Sequence, residues 1–161
     1  MKTRVLILLI SVSSIILCGC PYDSKVPLEQ PSVKVDRQLA GQWRDISDTT
    51  EIYEIEIRDS VSYNVEVRKT NKLERDHYIV YMSRFANATF FNVREDKGDG
   101  SASKFLFFKM TWSGKNKIVL STVTENIREQ FTSSAELKKF FTNNMHNSYF
   151  FEKGETTLVR L

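Results

Sequence analysis

The chain has little cysteine: two in 161 residues, Cys18 and Cys20, with one glycine between them. No disulfide framework can be built from such a pair, so the fold must be held by its core. By itself the Cys-x-Cys spacing leaves redox, metal and processing readings open. Proline is also scarce: all three, Pro21, Pro27 and Pro31, fall within eleven residues, and none follows Pro31. A hundred and thirty residues without proline suit an uninterrupted hydrogen-bonded sheet. Histidine is nearly absent. His77 and His146 are far apart in sequence, and neither has a partner at metal-ligand spacing such as His-x-x-x-His. Charge of one sign is missing too. With 23 basic and 20 acidic residues there is no electrostatic footprint for nucleic acid.

The N-terminus carries the most specific signal. Lys2 and Arg4 precede an uncharged, mostly apolar run, Val5 to Leu17. Its 13 residues suffice for the h-region of an export signal and fall short of the roughly 20 that span a bilayer as a helix. The run ends in Leu17-Cys18-Gly19-Cys20, which resembles the lipobox of bacterial lipoproteins: leucine, two small residues, then cysteine. This resemblance implies a signal peptide over 1–19, removed by cleavage, and a lipid attached to Cys20. Cys18 would leave with the signal, which removes the redox and metal readings of the pair. Two or three acyl chains give durable membrane attachment, where one gives only marginal binding. The mature chain would retain 21 basic and 20 acidic residues, because only Lys2 and Arg4 are lost. The expected location is the cell envelope. In a Gram-negative envelope, Pro21 in place of Asp after the lipidated cysteine points to the outer membrane, with the domain facing the periplasm.

Residues 20–38 hold every proline and read as a semi-rigid tether between lipid and domain. From residue 39 to 161 the dominant period is two. In EIYEIEIR (51–58), Tyr53, Ile55 and Ile57 alternate with Glu54, Glu56 and Arg58. In VSYNVEVR (61–68), Val61, Tyr63, Val65 and Val67 alternate with polar residues, and Asp59-Ser60 supplies a turn between the two runs. Further strands are expected at 42–46, 76–83, 89–95, 104–112, 117–124 and 156–161. Lys153-Gly154-Glu155 is read as a turn before the last of them. One segment departs from this period: Leu137, Phe140, Phe141, Asn144 and Met145 share a helical stripe, with a Ser133/Glu136 capping box at its start. The doubly apolar run 104–112 is its expected packing partner. The expected fold is therefore mainly β, an eight-stranded antiparallel up-and-down barrel with one helix before the last strand.

That arrangement resembles the lipocalin or calycin barrel. Gly41-Gln42-Trp43 is similar to the Gly-x-Trp that opens the first lipocalin strand, and Arg160 stands where lipocalins place an arginine over that tryptophan. The resemblance implies that Trp43 and Arg160 close the barrel and that the interior takes a small apolar ligand. Tyr53, Ile55, Tyr63, Val65 and Phe107 are the expected lining residues. A second reading stands beside it: eight-stranded barrels are narrow enough to be filled by their own side chains. The protein would then be an interaction, inhibitor or structural module with an envelope protein as partner. No nucleophile motif or convergent titratable cluster points to an enzyme, and no cofactor or metal is expected. Glu54, Glu56 and Glu66 read as a solvated outer face, with Arg58 and Arg68 as cross-strand charge partners.

Overall fold

The computed structural model describes residues 21–99, 101 and 103–161. Residues 1–20, which hold the expected signal segment and Cys20, lie outside the described residues. Nine strands and one helix follow in order: β1 (Asp23–Ser24), β2 (Gly41–Asp45), β3 (Glu51–Ile57), β4 (Ser62–Lys69), β5 (Arg75–Phe85), β6 (Ala88–Glu95), β7 (Phe105–Trp112), β8 (Lys117–Val123), α1 (Ser134–Asn144) and β9 (Phe151–Arg160). Each strand from β2 to β8 pairs antiparallel with the next, and β9 joins β8 to β2. The result is a closed eight-stranded antiparallel barrel with one helix before its last strand.

Alternation in sequence becomes inside and outside in space. Tyr53, Ile55, Tyr63 and Val65 face the barrel interior, and Glu54 and Glu56 face out. The turns are set by local chemistry. Asp59 Oδ1 accepts a hydrogen bond from the Val61 amide at 2.8 Å, and Ala86 and Asn87 take φ of 47° and 60° in the two-residue link between β5 and β6. Two successive left-handed residues match the right-handed twist of the strands they join.

Two apolar cores share one sheet. Trp43, Tyr63, Met82, Ile118 and Leu158 fill one end of the interior. On the outer face of β6 and β7, α1 builds the second core around Phe141, whose ring meets Phe90, Phe107 and Phe150 edge-on at 5.5, 5.3 and 5.0 Å. Such edge-to-face pairs contribute about 0.5–1.5 kcal/mol each beyond burial. Ser133 caps the helix by accepting from the Glu136 amide. β7 serves both cores: Leu106 and Phe108 point inward while Phe107 points under the helix. Phe107 therefore does not line the interior, contrary to the expectation from sequence. A strand apolar on both faces gives no parity signal, and the aromatic helix captures this ring.

Residues 21–38 are not a free spacer. The Tyr22 amide donates to the Val123 carbonyl at 3.2 Å, and Asp23 pairs with Leu106, so β1 enters where β7 and β8 stop pairing. Leu28 is fully buried, and its amide donates to Asn92 Oδ1 at 2.9 Å. Buried Asn92 in turn donates to Ser83 Oγ at 2.9 Å. Glu29 pairs with Lys138 of α1. A 3-10 turn (Arg37–Leu39) then brings Leu39 inside the barrel. Tyr22, Leu28 and Leu39 tie this proline-containing segment to both cores.

The last strand begins at Phe151, five residues earlier than the sequence suggests. Val123 pairs with Phe151 and Ser121 with Glu155 across a register shift, so Lys153-Gly154-Glu155 is strand and not turn. Gly154 here needs no left-handed backbone.

Candidate functional site

The barrel interior is filled at one end and open at the other. At the filled end the Trp43 indole Nε1 donates to the Leu39 carbonyl at 2.8 Å, fixing the 3-10 turn across the barrel. Arg160 lies over the indole, its Cζ 4.7 Å from the ring centroid. Its guanidinium donates to the carbonyls of Gln38 and, at 2.8 Å, Ala40. Gly41 makes this close approach possible: its φ is +129°, and a Cβ there would stand 2.6 Å from Arg160 Nη1. Trp43 and Arg160 thus meet as the sequence suggests, and they close one end.

Beyond this plug lies a cavity of about 410 Å³. Leu39, Ile55, Val65, Val80, Phe91, Val93, Phe108, Ile118 and Leu120 make its wall, together with Tyr53, Tyr63 and Tyr78. Tyr53, Ile55, Tyr63 and Val65 stand where the alternation put them. Tyr78, Val80, Leu106 and Phe108 were not singled out from sequence. The first two follow the inward parity of β5, whereas β7 conceals its parity.

Polar groups gather at the mouth. Lys69 Nζ lies 2.7 Å from Glu51 Oε1, and the Tyr53 hydroxyl donates to Glu51 Oε2 at 2.7 Å. Glu51 and Lys69 are direct cross-strand partners, so their pairing follows once the Asp59-Ser60 turn fixes the register. Burial, reinforced by the Glu51 hydrogen bond, holds the Tyr53 phenol far above its usual range, so it stays a proton donor. Its own hydrogen bond to Glu51 raises the Lys69 ammonium. Burial also raises Tyr78, and pushes Tyr63 up to about 12. Asp76, exposed at the rim, and Thr156 add to the polar lining. The arrangement can hold an apolar body and hydrogen-bond a polar end.

Other sequence candidates lie elsewhere. His77 and His146 are exposed, His77 on the outer face opposite Glu66. Glu54 and Glu66 face each other across β3 and β4 on the outside. The cation beside Glu66 is Arg75 at 3.0 Å, in place of the expected Arg58 or Arg68. Arg68 instead stands opposite Ile52, farther along the strand. Among the described residues no group of three or more His, Cys, Asp or Glu is placed to hold a metal ion, and no helix is long and apolar enough to cross a membrane. Comparison of the chain with protein-family models, curated proteins and solved structures gave no match.

Proposed function

We propose that this chain is a lipid-anchored lipoprotein of the cell envelope whose lipocalin-like barrel carries a small apolar molecule with a hydrogen-bonding end. The apolar cavity of about 410 Å³ supports this reading best. It falls within the roughly 300–1,000 Å³ of small-molecule sites, where an apolar wall supplies affinity and a few polar groups set orientation. Trp43, Met82 and Ile118 fill only one end, so the interior is not consumed by its own side chains. At the other end the Glu51 carboxylate and the Lys69 ammonium, already paired with each other and with the Tyr53 hydroxyl, supply an acceptor and a cation for the ligand's head.

The anchor reading rests on the lipobox-like Leu17-Cys18-Gly19-Cys20. Binding is proposed in place of catalysis, because the polar trio is mutually paired and contains no activated nucleophile.

Titration with an environment-sensitive apolar fluorophore tests the carrier function. Saturable binding of one probe per chain, displaced by acyl or aromatic amphiphiles, is the expected result. Absence of saturable binding, together with capture of one stoichiometric envelope protein, would favour the interaction-module reading.

A further inference from the structure

The mouth of the cavity carries more negative charge than positive, and its one lining cation is already matched. Glu51, Asp76 and Lys69 are the ionised lining residues, two carboxylates to one ammonium. Lys69 Nζ lies 2.7 Å from Glu51 Oε1, so that pair is neutral within the site. Asp76 forms no ion pair among the described residues. It stands directly opposite Val67, another lining residue, and shares the inward parity of Tyr78 on β5. The apolar wall therefore ends in an unmatched carboxylate.

More carboxylates stand around it. Glu95 is the direct cross-strand partner of Tyr78. Asp48 accepts from the Thr50 amide at 3.0 Å in the link that leads into Glu51. Asp45, only 7% exposed, ends β2 at the start of the same link. Of the nearby lysines, Lys97 lies 3.8 Å from Glu95, and Lys72 sits in the β4–β5 link outside the lining. The two phenols at the mouth register this field. After burial and the Glu51 hydrogen bond, the charges of Glu51, Asp45 and Asp48 raise Tyr53 further. After burial, those of Asp76, Glu95 and Glu51 raise Tyr78.

Such a mouth discriminates by sign of charge. An alkylammonium group can donate to Asp76, and phenol rings attract a cation as well. A carboxylate head meets Asp76 and Glu51 as like charges and must draw Lys69 away from Glu51. A cleft lined by one sign of charge between low-dielectric walls strengthens that bias. We infer that the cavity selects a cationic amphiphile, an amine with an apolar body, and rejects the corresponding fatty acid. This rests on the carrier reading and is independent of the lipid anchor.

The test titrates the full chain with the neutral probe N-phenyl-1-naphthylamine, at neutral pH and low salt. The probe is then displaced by decylamine, decanol or decanoate, which share one chain length and differ in head charge. Decylamine is expected to compete at least about tenfold better than decanoate, with decanol between them. Asp76→Asn, an exposed substitution, should narrow that ratio several-fold while the neutral probe still binds. Decanoate competing as well as decylamine, or a ratio that Asp76→Asn leaves unchanged, would overturn the charge selection. Failure of both the probe and decanol to bind would instead remove the carrier reading, and the proposal with it.

Discussion

Arg160 and Trp43 stand directly opposite each other on β9 and β2, and the guanidinium lies 4.7 Å over the indole while bonding two carbonyls of the incoming chain. One side chain thus joins the first barrel strand, the last, and the turn that plugs the interior. Arg160→Met should lower unfolding free energy by roughly 2–4 kcal/mol, from the lost cation–π contact and charge-assisted bonds. Gly41→Ala should cost at least about 1 kcal/mol, because it combines a left-handed φ with a Cβ driven against Arg160. Urea denaturation checks both. Unchanged midpoints would show that the plug contributes nothing to stability.

Leu28 separates a docked N-terminal segment from a free tether. Its side chain is fully buried against the second core, so Leu28→Ala should cost about 2–5 kcal/mol. A freely solvated linker residue would lose almost nothing, within about 0.5 kcal/mol. Thermal denaturation of the two proteins distinguishes these cases.

Tyr63 makes stability sensitive to alkali. Its phenol is almost fully buried and bonded to the Asp36 backbone, and burial raises it from 10.0 to about 12. Between these values the unfolded chain has lost the proton and the folded one keeps it. The contribution is therefore complete below pH 10 and fades as pH rises toward 12. At pH 11 the loss from this group is about 1.4 kcal/mol. Tyr63→Phe should be less stable at pH 8 but lose less between pH 8 and 11, as read from urea midpoints at the two values. An identical loss in both proteins would assign the alkaline sensitivity elsewhere.

Val65 lines the cavity wall away from the plug and the polar mouth. Val65→Trp should occupy the space where a ligand would lie, reducing probe affinity at least about tenfold, the equivalent of 1.4 kcal/mol. Its melting temperature should stay close to that of the unchanged protein, because the indole enters existing space. Full probe affinity in this variant would place the binding elsewhere.

The legible parts of this fold were those where one face is wet. In β3 and β4 the glutamates mark the outside, so Tyr53, Ile55, Tyr63 and Val65 declare the inside unaided. The capping box and stripe of α1 were equally plain. Legibility failed where both faces are dry: Phe107 belongs to the helix core, and Leu106 and Phe108 belong to the cavity, yet all three are large and apolar. It failed again at Tyr22 and Leu28, where the prolines suggested a spacer although the apolar residues between them had partners far along the chain. The Glu51–Lys69–Tyr53 trio needed the strand register, which local composition supplies only through the turn.

The central claim is that the cavity carries a small apolar molecule with a hydrogen-bonding end, and mass spectrometry of the bound molecule tests it most directly. Protein with and without Val65→Trp would be isolated from its native source and extracted with organic solvent, which would leave the proposed covalent lipid of Cys20 with the polypeptide. The account predicts one amphiphile near equimolar amount in the extract of the unchanged protein, and its loss from the Val65→Trp extract. The same trace from both proteins, or nothing from either, would contradict it.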